Sequence, residues 1–144
     1  GQAQELGNRF SQLVMRKVIE CSFVPGALEF IQKHKNKFRL FIASGTPQNE
    51  LREIVAQRGL TNYFCEVLGS PRGKPEIIYD ILSRYDIKPE EMPFIGDALN
   101  DFTAALSTAL PFYGYVPHKG SHVFPPHTRI FHTFDELEQA LLRA

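Results

Sequence analysis

The sequence predicts an α/β fold in which a parallel sheet is flanked by helices. Two observations carry this prediction. Short, nearly continuous apolar runs are typical of buried parallel strands, and longer segments repeat their apolar residues at helical spacing. Strands joined by helices of about ten residues form βαβ units. We therefore expect the polar residues that follow these strands to gather at one edge of the sheet.

Strand and helix patterns alternate beyond residue 38. The apolar runs predict strands over residues 38–43, 63–68, 92–95, 110–116 and 130–131. Apolar residues three and four positions apart predict helices over residues 25–35, 47–58, 74–82, 100–108 and 134–143. A further helix is predicted over residues 2–19, on a single apolar stripe formed by Leu6, Phe10, Leu13, Val14 and Val18.

The residues at the ends of these segments support the helices. Pro25 and Pro47 stand where a first helical position is expected, and Gly59 is well placed to end a helix. Asp135 and Glu136 lie in the first turn of the last helix, where acidic side chains suit the helix dipole.

The composition fits one globular domain and excludes several classes of partner. The chain has 144 residues, 43% of them hydrophobic, and 16 basic residues balance 16 acidic ones. This balance gives no general attraction to nucleic acid or anionic membranes, and no apolar run could span a bilayer.

Cys21 and Cys65 fit no metal or redox spacing, so we expect buried thiols. Residues 1–5 have no leader character, and we expect a cytoplasmic protein.

The segment Ser44-Gly45-Thr46 follows the strand at residues 38–43 and leads into a helix. A hydroxyl group and free N–H groups at a helix N-terminus can hold an anion, and glycine lets the backbone approach a ligand closely. The alternative is capping, because Thr46 before Pro47 is a favourable pair for starting a helix. Both roles can coexist, since different groups serve each of them.

Lys74 begins a predicted helix, where its positive charge opposes the helix dipole. An unfavourable placement of this kind suggests a functional reason, such as neutralising a bound phosphate. The alternative is an ordinary exposed lysine on the protein surface.

Asp97 and Asp101 follow the strand at residues 92–95 and lie one helical turn apart. Two carboxylates that face one crevice suit a hard cation such as Mg²⁺. The alternative is a simple helix start, in which Asp97 or Asn100 caps backbone N–H groups. With the two preceding loops, these residues would surround a phosphate and a Mg²⁺ ion.

Three segments, in this order, resemble the second, third and fourth motifs of the haloacid dehalogenase (HAD) superfamily. They are residues 42–47, 73–75 and 94–101, and residues 25–30 also resemble the helix that leads into the second motif. The likeness covers residues 23–144 and points to the branch of phosphoglycolate phosphatases and β-phosphoglucomutases. It implies a three-layer Rossmann-like core with a parallel sheet.

The resemblance also implies a Mg²⁺-dependent phosphatase of the cytoplasm that acts on a small phosphorylated metabolite. Catalytic roles are implied for Ser44, Lys74 and Asp101. Asp97 would bind Mg²⁺, and Asp101 would orient Lys74 or a metal-bound water. The substrate-binding residues would be Ser44, Gly45, Thr46 and Lys74.

The chain departs from the family in the first motif. That motif is Asp-x-Asp at the end of the first strand, and its first aspartate is the nucleophile that forms an aspartyl-phosphate. The sequence contains no Asp-x-Asp, and none of the other aspartates, Asp80, Asp86 and Asp135, ends a predicted strand. In the family this strand lies between the strands of the second and fourth motifs. We therefore predict a sheet from which the first-motif strand is missing.

Three explanations remain open: a piece of a longer protein, a naturally short protein, or a strand supplied by another chain. The helix predicted at residues 2–19 resembles the last helix of the family's cap, which favours the first explanation. Residues 1–22 would then be a cap remnant or linker, and residues 23–144 the core domain. A sheet without its central strand would expose unpaired backbone groups, so we expect a possible homo-oligomer.

The predicted function is hydrolysis of a small phosphomonoester with Mg²⁺, through an aspartyl-phosphate. We expect little or no turnover from the chain itself, because the nucleophilic aspartate is absent. The alternative is a non-catalytic binding or regulatory module that keeps the phosphate and Mg²⁺ pocket.

Overall fold

The computed structural model describes residues 12–15, 26–34 and 38–143. Within these ranges the chain forms six strands and five α-helices. The strands are β1 (Gln12–Met15), β2 (Arg39–Pro47), β3 (Glu66–Ser70), β4 (Phe94–Gly96), β5 (Phe112–Tyr115) and β6 (Ile130–Phe131). The helices are α1 (Ala27–His34), α2 (Gln48–Gln57), α3 (Lys74–Arg84), α4 (Leu99–Thr108) and α5 (Phe134–Arg143).

The described strands form one sheet in the order β3-β2-β1-β4-β5-β6. Every neighbouring pair is parallel. Since parallel strands all run the same way, the carboxyl ends of β2, β3 and β4 open on one edge of the sheet. The loops that carry the predicted motifs follow these three ends.

Alternate residues of β2 point into two separate cores, one on each face of the sheet. Leu40 and Ile42 belong to the core that includes residues of α1, α2 and α5. Phe41 and Ala43 belong to the core that includes residues of α3 and α4. Helices therefore cover both faces, and the predicted three-layer α/β architecture is confirmed.

Residues 12–15 form a strand, so the helix predicted over residues 2–19 is wrong there. β1 lies between β2 and β4, and Val14 is aligned with Phe41 on one side and with Phe94 on the other. Without β1, the facing edges of β2 and β4 would keep unpaired N–H and C=O groups inside the protein. Pairing on both sides outweighs the helical periodicity, which is only a weak local preference. The rest of residues 2–19 lies outside the described part.

The prediction of a missing central strand is therefore also wrong. β1 occupies the position that the HAD resemblance assigns to the first-motif strand, although no Asp-x-Asp follows it in the sequence. Residues 12–15 belong to the core sheet and not to a helical cap remnant. β1 fills the gap that motivated the expected homo-oligomer. Unpaired edges of β2 and β4 therefore give no physical reason for self-association.

The remaining predicted strands and helices are confirmed, and their first and last residues differ from the predicted ones by a few positions. The strand predicted over residues 63–68 begins at Glu66, because Thr61–Tyr63 forms a short 3₁₀ helix.

Cys65 is exposed, contrary to the prediction, because it immediately precedes β3 at the edge of the sheet. Cys21 lies outside the described residues. No helix in the described ranges is long and apolar enough to cross a membrane.

Candidate functional site

Strand register brings two predicted site residues to the same level of the sheet. Val14 of β1 is aligned with Phe41 of β2 and with Phe94 of β4. Ser44 and Asp97 each come three residues after those partners, towards the carboxyl edge. Two strand spacings, about 10 Å, separate the two backbones. Both residues therefore stand at the same mouth of the sheet.

A buried ion pair joins the predicted third and fourth motifs. Lys74, the first residue of α3, places Nζ 3.1 Å from Oδ1 of Asp101 in α4. The lysine side chain is 8% exposed and the aspartate side chain 0%. The alternative of an ordinary surface lysine is therefore wrong. Because either charge alone would be costly in this interior, the pair holds the first turns of the two helices together.

The second carboxylate oxygen of Asp101 organises the loop that precedes α4. Its Oδ2 accepts the backbone N–H groups of Asp97 at 3.2 Å and Ala98 at 3.1 Å. Gly96 permits this arrangement, because a Cβ there would lie 2.6 Å from both Cγ and Oδ2 of Asp101. Asp101 consequently connects Lys74 to the backbone that carries Asp97.

Ser44 is buried at the end of the apolar part of β2, with 3% of its surface exposed. Its Oγ accepts the backbone N–H of Thr46 at 3.1 Å. The N-cap position of α2 is Pro47 and has no side-chain hydrogen bond, so the predicted capping role of Thr46 is wrong. Within the described part of the chain, Ser44 Oγ serves only as an acceptor. The hydroxyl proton can therefore be donated to a ligand.

A cleft of about 560 Å³ opens beside these groups. Gly45, Lys74 and Asn100 bring all three predicted loops to its wall. A Cβ at Gly45 would meet no heavy atom within 4 Å, so the backbone borders open space there. The other predicted site residues lie outside the wall of the cleft: Ser44, Thr46, Asp97 and Asp101.

Helix α4 supplies cleft residues that the sequence analysis missed. Thr103 and Ser107 line the cleft one helical turn apart. Thr103 Oγ1 donates to the carbonyl of Leu99 and Ser107 Oγ to the carbonyl of Ala104, both at 3.1 Å. Positions 103 and 107 share a helix face with Asn100, and that spacing was the signal available in the sequence.

The two predicted carboxylates have different surroundings at this edge of the sheet. Asp97 is exposed, whereas Asp101 engages Lys74 and two backbone N–H groups. The Asp101 carboxylate accepts the backbone N–H groups of Asp97 and Ala98 at the start of α4, a role that the capping alternative gave to Asp97 or Asn100. The described residues contain no group of three or more side chains placed to hold a metal. Mg²⁺ commonly uses one or two carboxylates, waters and substrate phosphate, and Asp97 suits that arrangement.

A second charged cluster connects α3 with β3. Arg84 lies 2.6 Å from a carboxylate oxygen of Glu66 and 3.0 Å from one of Asp80. Hydrogen bonds from Arg84 lower the pKa of the Glu66 and Asp80 carboxyl groups. Arg72 lines the cleft, but its guanidinium group also contacts Asp80, at 2.9 Å. The cluster is therefore matched in charge, and it was not predicted from the sequence.

Comparison with known proteins gives one family and several relatives. A family model described as haloacid dehalogenase-like hydrolase matches residues 6–107. The phosphoglycolate phosphatase of Vibrio vulnificus strain CMCP6 is 29% identical over 119 residues, which are 78% of this chain and 51% of that protein. The chain spans about half the length of the curated relatives it matches. These matches confirm the predicted resemblance.

Solved structures of the same superfamily share the fold. The HAD-hydrolase YfnB from Bacillus subtilis, bound to magnesium, aligns with a TM-score of 0.72 at 20% identity, over 82% of this chain and 55% of that one. The core domain of a Streptococcus pneumoniae TIGR4 protein aligns with a TM-score of 0.69 at 17% identity, over 90% of this chain and 94% of that one. At these identities the likeness establishes the Rossmann-like fold alone.

Proposed function

We propose, from the premise that this chain belongs to the haloacid dehalogenase-like hydrolase family, that it is a phosphohydrolase core that binds a small phosphomonoester together with Mg²⁺. The observation that carries the proposal is the buried pair of Lys74 and Asp101 beside a cleft that Gly45 also lines. A buried lysine at a helix start opposes the helix dipole. Asp101 offsets the charge of this lysine within the fold, and an anionic ligand in the cleft would stabilise it further.

Each of the predicted loops has a group suited to phosphate. Lys74 lines the cleft with an ammonium group, whose positive charge attracts the oxygens of a phosphate. Ser44 has a hydroxyl proton to donate, and the backbone at Gly45 borders open space. Hydrogen bonds from fixed donors to phosphoryl oxygens are strong, because the acceptor is charged and the donors need no reorganisation.

Asp97 is the residue that would hold Mg²⁺ at this edge of the sheet. A bound Mg²⁺ ion neutralises phosphoryl oxygens and favours charge build-up on them. The magnesium named in the YfnB structure supports this assignment by analogy only. Asp101 fixes the backbone N–H of Asp97 and thereby the position from which the carboxylate projects.

Turnover by this chain is expected to be very low. The family's covalent route needs the first-motif aspartate, and the sequence has no Asp-x-Asp. Binding of phosphate and Mg²⁺ does not need that nucleophile. We therefore expect binding without appreciable hydrolysis. The cytoplasmic location stays a prediction from the sequence.

Isothermal titration calorimetry with inorganic phosphate and with 2-phosphoglycolate, each with and without Mg²⁺, tests the proposal. Ser44→Ala and Asp97→Asn should weaken binding, whereas Lys88→Met, which removes an exposed cation outside the cleft, should not. Phosphate release from 2-phosphoglycolate is measured in parallel. Absence of phosphate binding would refute the proposed site, and rapid Mg²⁺-dependent release would refute the expected low turnover.

A further inference from the structure

The solvent face of helix α4 carries no charge. Its exposed residues are Leu99, Asn100, Thr103, Leu106 and Ser107. Asp101 is the one charged residue in the sequence of this helix, and it is buried. Each of the other four α-helices exposes charged side chains, which include Glu29, Glu50, Glu76 and Asp135. Because a surface helix ordinarily turns charged residues to water, the face of α4 is suited to contact with protein.

Two leucines and a phenylalanine form an apolar stripe along this face. Leu99 is 50% exposed and Leu106 is 70% exposed. Phe102 lies between them on the same side of the helix, and its ring packs edge-on against Phe112 of β5 with centroids 5.6 Å apart. Side chains three and four positions apart are neighbours on a helix, so the stripe is continuous. A continuous exposed apolar surface of this kind marks an interaction site.

A small apolar pocket opens beside Leu106. Its wall includes the residues that precede β5 and β6, so it lies at the edge of the sheet opposite to the candidate site. Apolar side chains form much of the wall: Phe102, Leu106, Leu110, Pro111 and Phe112. Its volume of about 210 Å³ is below the range of about 300–1,000 Å³ that small-molecule sites occupy. The pocket is therefore better suited to an inserted apolar side chain than to a free ligand.

No acidic or basic side chain offers this pocket a counter-charge. Arg129 is the only lysine, arginine, aspartate or glutamate in its wall. The Arg129 guanidinium group lies 4.6 Å from the centroid of the Tyr113 ring and donates to the Tyr113 hydroxyl at 3.2 Å. Tyr113 belongs to the core on the other face of the sheet from Phe112, so this charge is held away from the pocket. A partner with charged groups would lose hydration here without an ion pair, whereas an uncharged apolar partner would not.

We propose that the apolar stripe and the pocket form the interface of a homodimer, in which α4 of one protomer packs antiparallel against α4 of its partner. Leu99 and Leu106 are about 10 Å apart along the helix axis. An antiparallel partner therefore brings Leu99 of each protomer to Leu106 and the pocket of the other. A two-fold axis makes this contact twice.

A second copy of the chain is the favoured occupant because the α4 face is complementary to itself. It supplies both the protruding leucines and the pocket, and it is uncharged on both sides of the contact. This reason for self-association is independent of the sheet edges. It is also independent of the proposed function, since Asn100 and Ser107 line the cleft on the side of α4 that faces α3.

Sedimentation velocity over a dilution series of the chain tests the proposal. The contact of two short helices is small, so we expect a weak dimer with a Kd of about 10 μM. Leu106→Ser should weaken the dimer about 100-fold, because the substitution removes an apolar contact from both protomers. Leu142→Ser is the matched control, since Leu142 is 51% exposed but lies on α5, and it should leave the Kd unchanged. Circular dichroism verifies that both variants are folded.

Two further readouts locate the contact. Since no charges pair across the interface, the Kd should not rise with salt concentration. Amide shifts that depend on protein concentration should fall in residues 99–106, 110–112 and 127–129. A chain that stays monomeric up to about 1 mM overturns the proposal and leaves the face to a different partner. A dimer that Leu106→Ser does not weaken also overturns it, because the protomers then associate through another surface.

Discussion

Replacing Asp101 with Asn tests the ion pair on which the candidate site depends. The side chains of Lys74 and Asp101 are 8% and 0% exposed, so the substitution removes a negative charge that lies beside a buried ammonium group. Breaking such a pair from one side costs about 3–5 kcal/mol of unfolding free energy. Asn keeps one oxygen that can accept the N–H groups of Asp97 and Ala98. We therefore expect a loss near the lower end, about 3 kcal/mol.

Asp101→Ala should be more damaging than Asp101→Asn, because it also removes the acceptor for both N–H groups. Each lost hydrogen bond adds about 1 kcal/mol, which brings the expected loss to about 5 kcal/mol. The double variant Lys74→Met/Asp101→Asn removes both charges together. It should be more stable than the sum of the two single changes predicts, by about 2–3 kcal/mol.

Urea unfolding followed by far-ultraviolet circular dichroism measures Asp101→Asn, Asp101→Ala, Lys74→Met and the double variant. Asp97→Asn is the control, because Asp97 lies in the same loop but is exposed, and its loss should cost under about 0.5 kcal/mol. A loss below about 1 kcal/mol for Asp101→Asn, or additive single changes in the double variant, would show that the pair behaves like a surface salt bridge. The argument for a fixed lysine in the site would then be refuted.

Three further outcomes are expected. Gly96→Ala should cost about 1–3 kcal/mol in urea unfolding, because the new Cβ crowds a buried carboxylate, whereas Gly45→Ala should be nearly neutral; equal effects would contradict this. The pKa values of the Glu66 and Asp80 carboxyl groups are lowered in the folded state. The stability that Arg84 confers is therefore present above about pH 4.5, and it is lost as the pH falls through the folded-state pKa values. The stability difference between wild type and Arg84→Met is expected to be small, because the side chains of the cluster are partly exposed, and it should shrink on acidification. A difference that does not depend on pH would contradict this. Mg²⁺ titrated calorimetrically should bind more weakly without phosphate than with it, and identical affinities would exclude a shared ligand set.

The strands and helices beyond residue 38 could be predicted because their apolar periodicity and their packing agree. Residues 12–15 could not be predicted in the same way. Leu13 and Val14 fit a helical stripe as well as a strand, and only the unpaired edges of β2 and β4 decide between the two. Those edges are assembled from segments far apart in sequence, so no local pattern contains the information.

Some residues of the candidate site could likewise be predicted from the sequence, and others could not. Lys74 was predicted because its charge conflicts with the helix dipole, and Asp101 explains how the fold tolerates that conflict. The capping alternative for Thr46 is wrong, because β2 continues to Pro47 and the helix begins only after it. Thr103 was missed because a hydroxyl on an exposed helix face is ordinarily solvated, and the cleft beside it exists only once α3 has packed against α4.

In the family, one segment provides both the central strand of the sheet and the nucleophilic aspartate. The strand and the nucleophile have different physical requirements. A strand between β2 and β4 needs only backbone pairing and apolar character, which residues 12–15 supply. The nucleophile needs one particular side chain after that strand, and the sequence has no Asp-x-Asp to supply it. The Lys74–Asp101 pair and the cleft are built from other loops, so their assembly does not depend on the nucleophile. Ligand binding and covalent turnover are therefore physically separable in this fold, and phosphate affinity without hydrolysis is the consistent expectation for this chain.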